Sequence, residues 1–306
     1  MTAYQPKPPW LKRRLPSGPQ YERIRHLIKD QCLRTVCQEA MCPNQFECFS
    51  KGTATFMILG DRCSRNCRFC AVGNGPQGMP DADEPRRVAE AVQTMGLKYC
   101  VITSVTRDDL ADGGAAHFAA TIHAIRALNP QTLIEVLIPD FQGNTEALAT
   151  VLAAKPEVLN HNLETVESLY GTVRPQAGYR QSLEVLRRSR LIAPEIVTKS
   201  GIMVGLGESG EQLRQLMRDL RQVRCDILTI GQYLQPSKAH LPVVRYLPPE
   251  EFAVLEQDAL SLGFGAVASA PFVRSSYQAE SLYRRVMPIV NAKDNCPTSQ
   301  PFSSKS

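Results

Sequence analysis

Ala54-Thr55-Phe56-Met57-Ile58-Leu59-Gly60-Asp61-Arg62-Cys63-Ser64-Arg65-Asn66-Cys67-Arg68-Phe69-Cys70 joins an apolar run of strand length to a loop with C-x3-C-x2-C spacing. Five more runs rich in β-branched and aliphatic residues follow it, at 99–105, 133–138, 158–163, 196–204 and 227–230. Helical patterns lie between them: Leu213, Leu216, Met217, Leu220 and Val223 recur at the steps of one helix face, as do Phe118, Ile122, Ile125 and Leu128. Strands alternating with amphipathic helices predict βα units on a parallel sheet. Six such units with right-handed crossovers form an α/β partial (β/α)6 TIM-like barrel more readily than a closed eight-stranded one, with ligands at the strand C-termini.

The cysteine loop sits at such an end. A cubane iron-sulfur cluster normally takes four cysteines, so three leave one iron open to another ligand. Zinc is the competing reading, but its structural sites are closed by four ligands, often as paired C-x2-4-C knuckles, which this loop alone does not make. The loop resembles the signature of the radical S-adenosylmethionine (SAM) superfamily. That resemblance implies a [4Fe-4S] cluster on Cys63, Cys67 and Cys70 whose open iron is chelated by SAM. Its reductive cleavage would give a 5′-deoxyadenosyl radical able to abstract hydrogen from unactivated C–H bonds; the cofactor supplies the chemistry and the protein orients it.

A second triplet lies upstream in Cys37-Gln38-Glu39-Ala40-Met41-Cys42-Pro43-Asn44-Gln45-Phe46-Glu47-Cys48, with C-x4-C-x5-C spacing. A continuous helix would scatter these thiols, so a turn at Pro43-Asn44 is expected to fold the segment back. Read alone they are either ligands of a second cluster or buried, unreactive thiols. The segment Thr35-Val36-Cys37-Gln38-Glu39-Ala40-Met41-Cys42-Pro43-Asn44, with Glu47-Cys48, resembles the auxiliary-cluster segment of lipoyl synthases. The likeness continues in order through Val105-Thr106-Arg107-Asp108-Asp109-Leu110, His161-Asn162-Leu163-Glu164-Thr165-Val166, Lys199-Ser200-Gly201-Ile202-Met203-Val204-Gly205-Leu206-Gly207-Glu208 and Arg274-Ser275-Ser276-Tyr277. It spans about residues 8–290. Gln278 departs from it, standing where that family commonly has histidine.

The resemblance implies a second [4Fe-4S] cluster on Cys37, Cys42 and Cys48 with Ser275 as fourth ligand; taken alone, Ser275 reads as an ordinary capping or surface residue. It also implies insertion of two sulfur atoms at C6 and C8 of an octanoyl-lysyl group, with the auxiliary cluster consumed as donor. The substrate would be an octanoylated lipoyl-domain or H-type carrier protein, electrons would come from ferredoxin or flavodoxin, and an iron-sulfur carrier would rebuild the donor cluster. Cofactor contacts are expected from Thr103, Ser104, Asn162, Glu164, Arg174, Lys199, Gly205 and Glu208. Taken singly, Glu164 and Arg174 fit a helix cap or ion pair equally well, and Lys199 either holds a carboxylate ligand or points to the surface. Competing readings are another sulfur-inserting radical SAM enzyme, methylthiotransferase or biotin-synthase-like, and a non-catalytic iron-sulfur carrier; the first group would share the Cys63 loop but not the upstream triplet.

Composition sets the outer limits. The 306 residues are 43% apolar, enough for a sizeable core, and 35 basic against 30 acidic residues leave only +5, spread along the chain. Neither nucleic acid nor membrane is indicated, and no apolar run approaches the ~20 residues that span a bilayer. Seven of the ten cysteines fall between Cys32 and Cys70, a clustering that favours ligation over disulfides and a reducing, cytoplasmic setting. The expected division is an N-terminal extension at 1–52 with the upstream triplet, the partial barrel at 53–248, a C-terminal segment at 249–290 with Ser275, and a polar, disordered tail at 291–306 holding Cys296. Cys100 and Cys225 fall in or beside strands and read as small apolar residues.

Overall fold

The computed structural model describes residues 6–12, 18–50 and 54–294. The run that precedes the cysteine loop forms strand β1 (Thr55–Ile58), buried at every position. Two short strands, β2 (Arg62–Cys63) and β3 (Gly73–Asn74), pair with each other inside the loop region. The remaining strands are β4 (Tyr99–Ser104), β5 (Leu133–Leu137), β6 (Val158–Asn160), β7 (Val197–Val204), β8 (Ile227–Gln232) and β9 (Ala266–Ser269). They join β1 in one seven-stranded sheet, ordered β1-β4-β5-β6-β7-β8-β9, in which every neighbouring pair is parallel. The α/β partial barrel is thus as expected, with a seventh strand added from the segment after residue 248. Ala-Val-Ala-Ser, bracketed by Gly263, Gly265 and Ala270, is too short and too small-sided to announce itself as a strand.

Helices Glu84–Met95, Ala115–Leu128, Thr145–Ala153, Tyr179–Ile192, Gly210–Gln222 and Pro249–Ser261 connect successive strands. Their apolar stripes explain strands that are apolar on both faces. Leu213, Leu216, Met217 and Leu220 are buried, as are Phe118, Ile122 and Ile125; Leu128, at its helix end, is exposed instead. A Ser209/Gln212 capping box starts the most amphipathic of these helices.

Alternation along the strands sorts the inner face into levels. Met57, Thr103, Leu137, Asn160, Gly201, Met203, Thr229 and Gly231 border one cavity toward the strand C-termini. Below it, the fully buried Lys199 bonds Glu135 (Nζ to Oε1, 2.8 Å), and the Tyr99 hydroxyl donates to Glu135 Oε2 at 2.7 Å. Lower still, Val158, Val197 and Ile227 pack on Leu282, Tyr283 and Val286, so helix Ala279–Asp294 plugs the floor. That helix runs through 291–294, where a disordered tail was expected; 295–306, with Cys296, lie outside the described residues.

The open side of the sheet, between β1 and β9, is spanned by the N-terminal extension. The Met57 N–H donates to the Arg34 carbonyl at 2.9 Å and Thr35 bridges antiparallel to Phe56. At the far side, Asn44 Nδ2 donates to the Phe272 carbonyl, just beyond β9, at 2.6 Å. Helix Pro19–Asp30 backs this segment, with Tyr21 stacked on Phe46 at 5.1 Å. No helix among the described residues is long and apolar enough to cross a membrane.

Candidate active site

The cavity at the strand C-termini has a volume of about 540 Å³ and is bordered by Cys37, Cys42, Cys48, Cys63, Cys67, Cys70 and Ser275 together. Two cysteine sets separated in sequence therefore face one space.

The downstream loop is held from several sides. The chain leaves β1 through two left-handed residues, Leu59 (φ 69°) and Gly60 (φ 99°). A side chain at Gly60 would collide with Gln77, whose amide caps the Leu59 carbonyl at 2.7 Å. Ser64 N–H donates to the Thr106 carbonyl, Arg68 N–H to that of Val173, and Leu241 N–H to that of Arg68. The Asn66 N–H donates to Gln176 Oε1 at 2.6 Å, and His240 Nε2 donates to the Cys70 carbonyl at 2.9 Å. Arg65 lies buried beneath the loop and forks onto Asp108 (2.6 and 2.9 Å) and Asp140 (2.9 and 2.6 Å). Although burial pushes the Asp140 carboxyl up, the Arg65 guanidinium holds it at about 2. The sequence reading did not single out Arg65, which hides among six arginines between 62 and 107.

The upstream segment folds back between short helices Val36–Glu39 and Gln45–Ser50, the reversal starting at the left-handed Met41, ahead of the expected Pro43-Asn44 turn, and running through it. Burial, then the neighbouring Cys42, pushes the Cys37 thiol up to about 12; burial and the neighbouring Cys67 and Cys63 do the same to Cys70. A thiolate at Cys37 or Cys70 is therefore favoured by a strongly cationic partner, such as iron. Among the described residues no three His, Cys, Asp or Glu side chains converge as the ligands of a single metal ion would. Cluster cysteines each bind a separate iron and need no such convergence.

The same cavity is bordered by Asn162, Glu164, Arg174 and Ser275. Asn160 pairs with Lys199 and Glu164 with Ile202, so one extra residue is bulged out of the β6 line, with Glu164 itself left-handed (φ 67°). That bulge is why the strand ends at Asn160 rather than Leu163. Asn162 Nδ2 donates to Glu164 Oε1 at 2.9 Å and to Ser275 Oγ at 2.6 Å. Arg174 donates to the Asn162 carbonyl at 2.9 Å, and its cation beside Cys67 opposes the upward push of burial on that thiol. Burial raises the Glu164 carboxyl, with the Arg174 cation opposing it. Gly231 lets the Ser275 loop approach, since a Cβ there would lie 2.1 Å from the Val273 carbonyl. Ser104 Oγ, His161 Nε2, Asn162 Oδ1 and Arg174 Nε are buried at the cavity with no partner among the described residues. Orphaned donors and acceptors of this kind suit a polar, charged cofactor such as SAM.

Three expected cofactor contacts lie elsewhere. Lys199 is turned inward but one level below the cavity, and its carboxylate partner is Glu135 rather than a ligand, because Leu-Ile-Glu-Val-Leu puts Glu135 on the inner face of β5. The Glu208 carboxylate accepts the Gly205 and Leu206 N–H groups at 2.5 and 2.9 Å, closing its own loop. Gly205 (φ 99°) is hemmed in by Gln232 and the Arg245 carbonyl, so its glycine answers to packing. Thr103, Ser104, Asn162, Glu164 and Arg174 do border the cavity. Cys32 is exposed, while Cys100 and Cys225 are buried in the core.

Residues 57–220 match the Radical SAM superfamily, and residues 3–42 match the N-terminal domain of lipoyl synthase of the Radical SAM family. The lipoyl synthase of Desulfotalea psychrophila is 63% identical over 279 residues, covering 91% of this chain and 93% of its own. That of Thermus thermophilus is 55% identical over 279 residues, covering 90% and 86%. Among solved structures, methylornithine synthase aligns with a TM-score of 0.51 at 13% identity, over 76% of this chain and 80% of its own, a likeness of fold alone.

Proposed function

The chain belongs to the lipoyl synthases of the radical SAM superfamily, and from that premise we propose how its two cysteine sets divide the reaction. The enzyme inserts sulfur into a protein-bound octanoyl group, at C6 and C8, to make the lipoyl cofactor. SAM and a [4Fe-4S] cluster belong to the superfamily chemistry, and a lipoyl carrier protein is the substrate.

In our reading Cys63, Cys67 and Cys70 hold the SAM-binding cluster, while Cys37, Cys42, Cys48 and Ser275 hold a second [4Fe-4S] cluster. The observation that carries it is the single cavity bordered by all seven side chains. When bound, these groups supply hydrogen abstraction from an unactivated C–H bond and the sulfur that replaces the hydrogen. The protein's part is placement. Glu164 and Arg174 present opposite charges beside Cys67, suited to the amino and carboxylate groups of SAM. Thr103 and Ser104 line the wall at the end of β4, and the apolar Met57, Leu137 and Met203 offer an alkyl chain a dry surface. The Glu135–Lys199 pair stiffens the floor beneath them.

The same reading assigns residues 1–52 to carrying the second site, 53–248 to the six expected units of the barrel and 249–290, which add β9, to supplying Ser275. The carrier is a lipoyl-domain or H-type protein, the reductant ferredoxin or flavodoxin, and an iron-sulfur carrier rebuilds the donor cluster in the cytoplasm. An anaerobic single turnover of the reconstituted enzyme with SAM, reductant and an octanoyl-lysyl peptide, followed by mass spectrometry, tests the assignment. A peptide that gains two sulfurs supports it. Formation of 5′-deoxyadenosine with the peptide unchanged counts against the substrate.

A further inference from the structure

We infer that Asn162 is a positioning residue that aims the Ser275 oxygen at the Cys37–Cys42–Cys48 site and ties that site to the one around Cys67. The inference rests on the proposed reading of Ser275 as a cluster ligand. An oxygen ligand on thiolate-preferring iron is weakly matched to its metal, so its orientation has to come from the protein around it.

Asn162 supplies that orientation through both hydrogens of its amide. Nδ2 donates to Ser275 Oγ at 2.6 Å and to Glu164 Oε1 at 2.9 Å. Since an ionised carboxylate only accepts, the bond to Glu164 dictates which end of the amide faces Ser275. The backbone of Asn162 is pinned as well, because Arg174 donates to its carbonyl at 2.9 Å. Arg174 also stands beside the Cys67 thiol, so one guanidinium connects the backbone of Asn162 with the surroundings of Cys67.

Room for this convergence comes from Gly201 on β7. A Cβ there would lie 2.8 Å from Asn162 Oδ1, 2.8 Å from Thr229 Oγ1 and 2.9 Å from Ser275 Oγ, closer than real contacts allow. Gly201 has no left-handed backbone to accommodate, so the glycine serves the approach of these polar groups. Glu164 is fixed to the same residue, its N–H donating to the Gly201 carbonyl at 3.0 Å.

The test uses the full chain with Cys63, Cys67 and Cys70 all replaced by alanine, reconstituted so that only the second site is filled, and follows iron release to a chelator together with the Mössbauer spectrum. Ser275→Ala and Asn162→Ala should each speed release by roughly 10-fold, the scale on which residues behind a metal ligand act. The double variant should be no faster than Ser275→Ala alone. Asn162→Asp, which keeps the shape but cannot donate, should behave as Asn162→Ala; a merely space-filling role would restore the parental rate. If Asn162→Ala releases iron at the parental rate while Ser275→Ala does not, the positioning role is wrong and the ligand reading stands. If Ser275→Ala itself changes nothing, both fall. Should Asn162→Ala fail to fold, Gly201→Ala crowds both the Asn162 amide and the Ser275 oxygen and should likewise speed release, and the parental rate in that variant overturns the proposal.

Discussion

The Cys63–Cys70 loop and the Cys37–Cys48 segment each bring three thiols to the same cavity, but their supports differ in kind. The first is contiguous, follows directly from β1, and is fastened by backbone hydrogen bonds to the loops after β4, after β6 and after β8. The second lies on two short helices outside the sheet, docked through Arg34 to β1 and through Asn44 to Phe272, 228 residues away. Its proposed fourth ligand arrives from yet another part of the chain. A cluster that must survive many turnovers is well served by the first arrangement. One that gives up sulfur and must be rebuilt is better served by ligands that separate without dismantling the barrel.

The sharpest way to break this comparison is to remove thiols from each side. Cys67→Ala should abolish 5′-deoxyadenosine formation, and with it every later step. Cys42→Ala should leave that cleavage in place while thiolated product disappears, both read from one quenched reaction by mass spectrometry. A Cys42→Ala enzyme that still makes dithiolated product would erase the distinction. A smaller effect is expected under the downstream loop. Arg65→Met leaves Asp108 and Asp140 facing each other without their shared cation, and should cost roughly 3–5 kcal/mol of unfolding free energy in a denaturant titration. A loss below about 1 kcal/mol would mean that the backbone bonds suffice. Smallest is Phe46→Ala, which removes the ring stacked on Tyr21 and should cost about 1 kcal/mol while quickening iron loss from the upstream site alone. Equal loss from both sites would contradict the independent docking of the segment.

The sheet and both triplets were legible because they are local. A strand that ends in cysteines announces itself within a single stretch, and three thiols within a dozen residues need no distant partner to be noticed. What escaped was set by non-local geometry. Strand β9 is four short-sided residues whose place beside β8 is set by pairing with a strand some forty residues earlier. The expected ligand role of Lys199 gave way to Glu135, 64 residues away, since both alternate inward on neighbouring parts of the same sheet. Glu208 and Gly205 sit in the segment shared with the family, yet they shape a loop outside the cavity. The Asn162–Ser275 contact spans 113 residues and depends on a bulge that no periodicity in the sequence reveals.

The most direct test of the division of labour is isotopic. Enzyme reconstituted with heavy-sulfur-labelled sulfide, freed of excess sulfide and given SAM, reductant and octanoyl-lysyl peptide, should release a product in which both inserted atoms carry the label. Product with unlabelled sulfur would show that the sulfur comes from elsewhere, and the role assigned to the Cys37–Cys42–Cys48 site would be wrong.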